Sequence, residues 1–209
     1  MNKRTPVLGV LTLLAVVCAS GQGTFVYDQQ SSSDEIPPPG YWGDSLQHES
    51  QSNGGCGQSF TPNLPGVDFV KFMFQGLNIP NQAGTKVFVN LRSGSITGPI
   101  LGVTAPVIMP AAFVGPATFF IPNTVTVTPG VTYYFEVVPP LHANLPFDSP
   151  IAIRGSTFYN YAGGMAFGNT HPAAYADLWF REGVVVPEPS SVTLMLLGAC
   201  AFWCVRPIR

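Results

Sequence analysis

Thr128-Pro129-Gly130-Val131-Thr132-Tyr133-Tyr134-Phe135-Glu136-Val137-Val138 is the stretch that decides the fold class. Val131, Tyr133, Phe135 and Val137 fall on alternate positions. Side chains of a strand alternate between its two faces, so these four belong to one face. Pro129-Gly130 suits the centre of a type II turn, where Pro presets φ and Gly accepts a positive φ. Asn123 to Val127 reads as a strand entering that turn, so the segment is strand, turn, strand.

The same signals recur on both sides. Val70, Phe72 and Phe74 alternate with Lys71 and Met73; Val87, Val89 and Leu91 alternate with Phe88, Asn90 and Arg92. Gly23 to Asp28, Pro99 to Val103, Ala112 to Ile121, Ile151 to Arg154 and Asp177 to Arg181 are further candidate strands. Pro116 marks the strand at 112–121 as an edge or a bend. Gln29 to Gly57 is polar, holds Pro37-Pro38-Pro39, and reads as a long loop. Composition agrees: 22 Gly, 21 Pro, 12% aromatic and only 10% charged residues favour many short strands over helices. The expected fold is all-β: an antiparallel, jelly-roll-like β-sandwich, flanked by an N-terminal signal-peptide helix and a short C-terminal hydrophobic helix.

Charge separates the ends from the body. Lys3, Arg4, Arg206 and Arg209 border apolar runs, whereas residues 22–186 hold five basic against ten acidic side chains. A mildly acidic body offers no basic patch for phosphates, which excludes nucleic acid as an expected partner. Met1 to Arg4, then Val7 to Val17, then Cys18-Ala19-Ser20-Gly21 form a three-part export signal, cleaved after Ala19 or Gly21. An N-terminal membrane anchor is the alternative. The 11-residue apolar run falls short of the ~20 residues that a spanning helix needs.

At the other end, Val186-Pro187-Glu188-Pro189-Ser190-Ser191 leads into an apolar stretch from Val192 to Val205. The prolines delay any helix until Ser190 or Ser191, either of which suits an N-cap. Such a helix is about 21 Å long at 1.5 Å per residue, against a hydrocarbon core of ~30 Å. It can pause in a bilayer but spans it poorly. Arg206 and Arg209 orient the tail by the positive-inside rule, with the body on the far side.

Pro187-Glu188-Pro189, the apolar run and the terminal arginines together resemble a PEP-CTERM sorting signal. The resemblance covers the last 24 or so residues. It implies recognition and removal of the tail by exosortase, a membrane-embedded cysteine protease. Further implied are prior passage through the Sec machinery and signal peptidase, and a link to exopolysaccharide and biofilm. A plain tail anchor or a buried terminal helix is the competing reading. The body is similar to a β-sandwich ectodomain of PEP-CTERM and choice-of-anchor surface proteins. That similarity rests on Gln58-Ser59-Phe60-Thr61-Pro62, Thr128 to Tyr134, Tyr161-Ala162-Gly163-Gly164 and Asp177 to Arg181, in that order.

The expected organisation is therefore a signal peptide at 1–21, a first strand and polar, proline-rich loop at 22–57, a β-sandwich at 58–185 and the sorting signal at 186–209. Of the four cysteines only Cys56 would survive removal of both ends, so the body expects no internal disulfide. Cys56 reads as a small buried residue opening a strand, with an intermolecular bridge or a reactive thiol as the alternatives.

No catalytic residues are readable. His48, His142 and His171 lack zinc-site spacing, and the chain has no Gly-x-Ser-x-Gly and no phosphate-cradling loop. Trp42, Tyr159, Tyr161 and Trp179 are candidate platforms for sugar rings. Trp179 lies between Leu178 and Phe180, so packing in the core or on a sheet's second face competes with that role. Asp148, Asn160, Asn169 and Asp177 are candidate oxygen ligands for a structural calcium ion, without the spacing of a calcium loop; no other cofactor is expected. The expected function is non-enzymatic: an exported surface or matrix component, inserted in the membrane only transiently. A carbohydrate-binding module is the alternative, and a hydrolase a third class.

Overall fold

The computed structural model describes residues 23–33, 42–45, 56–76, 85–110, 113–138, 151–157, 159, 161–168, 171–173 and 176–188. The two terminal helices expected above lie outside these residues, as do Asp148, Asn160, Asn169, Pro189, Arg206 and Arg209. The chain divides into two compact units, 1–25 with 185–209, and 26–184.

Every regular element among the described residues is a strand. In order they are β1 (Thr24–Gln30), β2 (Trp42–Ser45), β3 (Cys56–Phe60), β4 (Gly66–Gly76), β5 (Thr85–Ser93), β6 (Ile100–Val103) and β7 (Val107–Met109). There follow β8 (Val114–Thr126), β9 (Tyr133–Val138), β10 (Ile151–Ser156), β11 (Ala166–Gly168), β12 (His171–Pro172), β13 (Asp177–Leu178) and β14 (Phe180–Val186). They form two antiparallel sheets of seven strands. The first runs β1-β14-β4-β10-β13, with β8 on the other side of β4 and β2 on β10. The second runs β12-β11-β3-β9-β5-β6, with β7 beside β6 on the same side of β5.

One apolar core takes side chains from both sheets. β4 gives Val70, Phe72 and Phe74, β5 gives Val87, Val89 and Leu91, and β9 gives Tyr133, Phe135 and Val137. Each trio is a period-two face, as the sequence pattern requires. Phe135 is the centre of this core. Its ring stacks on Phe60 at 4.3 Å and meets Phe72 of the opposite sheet edge-on at 6.1 Å. Such ring pairs add about 0.5–1.5 kcal/mol to their burial.

Several expected elements are redrawn. The region read as a long loop contains β2 and the start of β3. Past its opening at Cys56, β3 went unread because Gln58 and Ser59 are buried polar residues that hide any apolar alternation. Cys56 does open that strand, buried. The strands read at 112–121 and 123–127 are the single β8, which lies at a sheet edge, where Pro116 needs no N–H for a second neighbour. Pro122 falls where the β4–β8 register shifts, between the pairs Phe69↔Phe120 and Val67↔Val125, so it too interrupts no ladder bond.

Val131 does not join the face of Tyr133, Phe135 and Val137; it sits in the turn, 46% exposed. Gly130 has φ +79°, and the Val131 N–H donates to the Thr128 carbonyl at 3.2 Å, as the Pro-Gly pair demands. The turn carries the chain from one sheet to the other and does not close a hairpin, since β8 pairs with β4 and β9 with β3 and β5. The strand read at 177–181 breaks at Trp179. There the N–H donates to the Arg154 carbonyl, and the carbonyl accepts from Met73. The short strands β7, β11 and β12 had no pattern to reveal them.

Removing the central ring tests this core. Phe135→Ala is expected to cost about 3–5 kcal/mol, by lost transfer energy plus a cavity, in urea unfolding. Ile108→Ala, on a solvent-facing position, is expected to cost less than about 1 kcal/mol.

Candidate functional site

Among the described residues two places are candidates: the end of β14 and a buried polar cluster.

In the unit formed by the two chain ends, β14 stops at Val186. Pro187 and Glu188 follow directly and are exposed. Pro187 cannot donate to a ladder, so the strand has a chemical reason to end there. Thr24 Oγ1 donates to Glu188 Oε1 at 3.3 Å. A Cβ on Gly23 would stand 2.5 Å from Val185 Cγ1 and 2.7 Å from the Val186 carbonyl oxygen, so glycine is needed for this approach. Sequence reading singled out Pro187 and Glu188 but not their neighbour Thr24.

The second place lies in the other unit, where the quoted sequence segments meet. Gln58, fully buried on β3, donates from Nε2 to Asp177 Oδ1 at 2.8 Å and accepts the Leu178 N–H at 2.8 Å. Asp177 Oδ2 accepts the Tyr161 N–H at 2.9 Å. Tyr161 OH accepts from the Thr61 N–H and donates to Gln29 Oε1. Thr61 Oγ1 donates to the Gly163 carbonyl, and the Gly130 N–H donates to the Pro62 carbonyl. Gly164 lies so close to Ser59 that a Cβ would stand 1.9 Å from its carbonyl oxygen. These segments thus form one hydrogen-bonded end of the sandwich. Asp28 belongs to it as well, with Oδ2 accepting from the Asn63 and Leu64 N–H groups.

Glu182 completes the cluster. Across the sheet it pairs with Val70, and Phe180 pairs with Phe72, so Glu182 faces the core. It is fully buried, and neither carboxyl oxygen has a hydrogen-bond partner among the described residues. Burial, with the nearby Asp28 carboxylate adding to it and the Gln29 backbone N–H opposing it, pushes its pKa up to about 9. Burial also pushes the Tyr161 hydroxyl up to about 12, with Glu182, Asp28 and Asp177 acting in the same direction. Asp177 is raised by burial too, against the opposing hydrogen bonds from Tyr161 and Gln58. Counting by twos from Phe180 would have put Glu182 on the core face; the signal was present in the sequence.

The candidate stacking residues have different surroundings. Trp179 is 1% exposed and Tyr159 6% exposed; with Met73 they form a second apolar cluster outside the main core. The Arg181 guanidinium lies over the Trp179 ring at 4.9 Å. These two rings therefore offer no open face to a sugar, and Trp179 follows the second-face alternative. Tyr161 is half-buried, edge-on to Phe180 at 5.1 Å. Trp42 opens β2, opposite Gly155. Of the candidate calcium ligands only Asp177 is described, and its oxygens serve Gln58 and Tyr161. Among the described residues no group of three or more His, Cys, Asp or Glu is arranged to hold a metal ion.

Comparison of the sequence with protein-family models and with curated proteins finds no match to either.

Glu182 makes stability depend on pH with a defined sign. Its folded pKa of about 9 exceeds the ordinary 4.5, so the folded chain holds a proton that the unfolded chain loses. Its contribution is complete below pH 4.5 and declines as pH rises toward 9. Glu182→Gln is expected to remove that decline and to raise stability at pH 8 by about 1–3 kcal/mol, read from urea unfolding across this range.

Proposed function

We propose that this chain is a non-enzymatic exported protein whose last two dozen residues are a PEP-CTERM-type sorting signal removed by exosortase. In this reading the N-terminal segment directs passage through the Sec machinery and is cut by signal peptidase. The C-terminal segment then pauses in the inner membrane as a short helix. Exosortase recognises Pro187-Glu188-Pro189, and Arg206 and Arg209 keep the tail's end inside. The released body is a jelly-roll-like sandwich at the cell surface or in the extracellular matrix, acting as a structural component among exopolysaccharide.

One observation carries the reading: β14 ends at Val186, so the motif begins on the first residue past the sandwich, where Pro187 and Glu188 are solvent-exposed. A protease working at a membrane needs an extended, accessible substrate next to the lipid, and a motif inside a strand would not serve. β1 begins at Thr24, just past the expected signal-peptide cut, so trimming there spares the first strand. The apolar run after the motif is long enough to linger in a bilayer and too short to settle there.

The test is a triple substitution, Pro187→Ala with Glu188→Ala and Pro189→Ala, in cells that contain exosortase. Intact-mass analysis is expected to show a trimmed C-terminus in the wild type and a retained tail, held in the membrane fraction, in the variant. Identical C-termini and identical location for the two would refute the sorting role.

A further inference from the structure

The start of β1 lies along the end of β14. Among the described residues β1 is an edge strand, paired with β14 alone. Within the unit formed by the two chain ends, Gly23 lies so close to Val185 and Val186 that no side chain fits between them. One residue on, Thr24 Oγ1 donates to Glu188 Oε1. Val185 and Val186 are the last residues of β14, and Glu188 stands just beyond it. The first residues of the body therefore flank the whole stretch from Val185 to Glu188. The two contacts are independent in kind: one is a steric fit of main chain on main chain and side chain, the other a hydrogen bond between side chains.

Both contacts depend on a finished fold. Thr24 and Glu188 are 164 positions apart, and all of β2 to β13 lies between them. In an unfolded chain the entropy of closing so long a loop keeps the two residues apart. Only a sandwich in which β1 has docked on β14 sets a hydroxyl beside the Glu188 carboxylate. Export-signal removal does not disturb this arrangement. A cut after Ala19 or Gly21 leaves at most Ser20-Gly21-Gln22 ahead of Gly23.

We propose that the sorting protease reads a composite site, Pro187 and Glu188 backed by Gly23 and Thr24, so that the tail is cut from a completed sandwich. This rests on the sorting reading above and adds to it a determinant from the opposite end of the chain. Thr24 is a positioning residue, acting through Glu188. Its hydroxyl holds one carboxylate oxygen and fixes the side chain in one orientation, with Oε2 left for a donor on the protease. A group oriented before binding loses less conformational entropy when it is bound. Gly23, lying flat on Val185 and Val186, keeps the chain extended as it enters the motif.

The experiment follows tail removal by pulse-chase and intact mass, with the full chain expressed in cells that contain exosortase. Thr24→Val keeps the shape of the side chain and removes the hydroxyl. Trimming is expected to slow about two- to tenfold, the span of one hydrogen bond. Thr24→Ser returns the hydroxyl and is expected to return the wild-type rate. Gly23→Val drives a side chain into Val185 and is expected to slow trimming further. Thr24 is exposed, so the Thr24→Val melting temperature should match wild type and separate presentation from folding. A Thr24→Val chain trimmed at the wild-type rate or faster overturns the composite site and leaves the sorting reading standing. So does a Thr24→Ser chain as slow as Thr24→Val. A wild-type chain that keeps its tail overturns the sorting reading and the composite site together.

Discussion

Gln58 is the point on which the two sheets depend. Its amide is fully buried, yet it gives a hydrogen bond to Asp177 and takes one from Leu178, so β3 of one sheet is tied to β13 of the other. An apolar interface alone tolerates sliding, because any hydrophobic side chain can meet any other. A buried amide does not, since a shift by one residue leaves donor and acceptor unsatisfied at about 1–3 kcal/mol each. The Phe60–Phe135–Phe72 ring cluster then packs at a fixed spacing, and Tyr161, Thr61 and Gly163 close over the end.

The sequence revealed those parts of the fold in which burial alternates cleanly. β4, β5 and β9 were legible because Phe72, Val89 and Phe135 alternate with residues facing the other way. β3 was not, because all five of its residues are buried and two are polar. β2 was not, because Trp-Gly-Asp-Ser has no period, and its strand character comes from pairing with β10. The Pro-Gly turn was readable in its local geometry, whereas its partner strands lie in different sheets, a tertiary fact that no local window contains. Pro187-Glu188-Pro189 was legible as a string. Its contact with Thr24 was hidden, because the two residues are 164 positions apart.

Charged groups in this molecule are few and mostly held in place. On the outer face of the first sheet, Arg181 lies over Tyr27 and Trp179 and donates to the Ser32 and Ser33 carbonyls. Lys71 lies over Tyr27 and donates to its hydroxyl. Both cations thus serve as lids over aromatic rings that would otherwise face water. Glu182 is the counterexample, a buried carboxyl facing the core, tolerable while it keeps its proton. Trp179, read from the sequence as a candidate sugar platform, lies under one of these cations, Arg181.

The pairing of β1 with β14 joins the first strand of the sandwich to the last. Gln58 likewise waits for a partner 119 residues downstream. A ribosome must therefore deliver almost the entire body before either sheet can close. Contacts of such long range also make closure slow once the chain is complete. The chain therefore stays pliable until its final strand arrives, and only then locks.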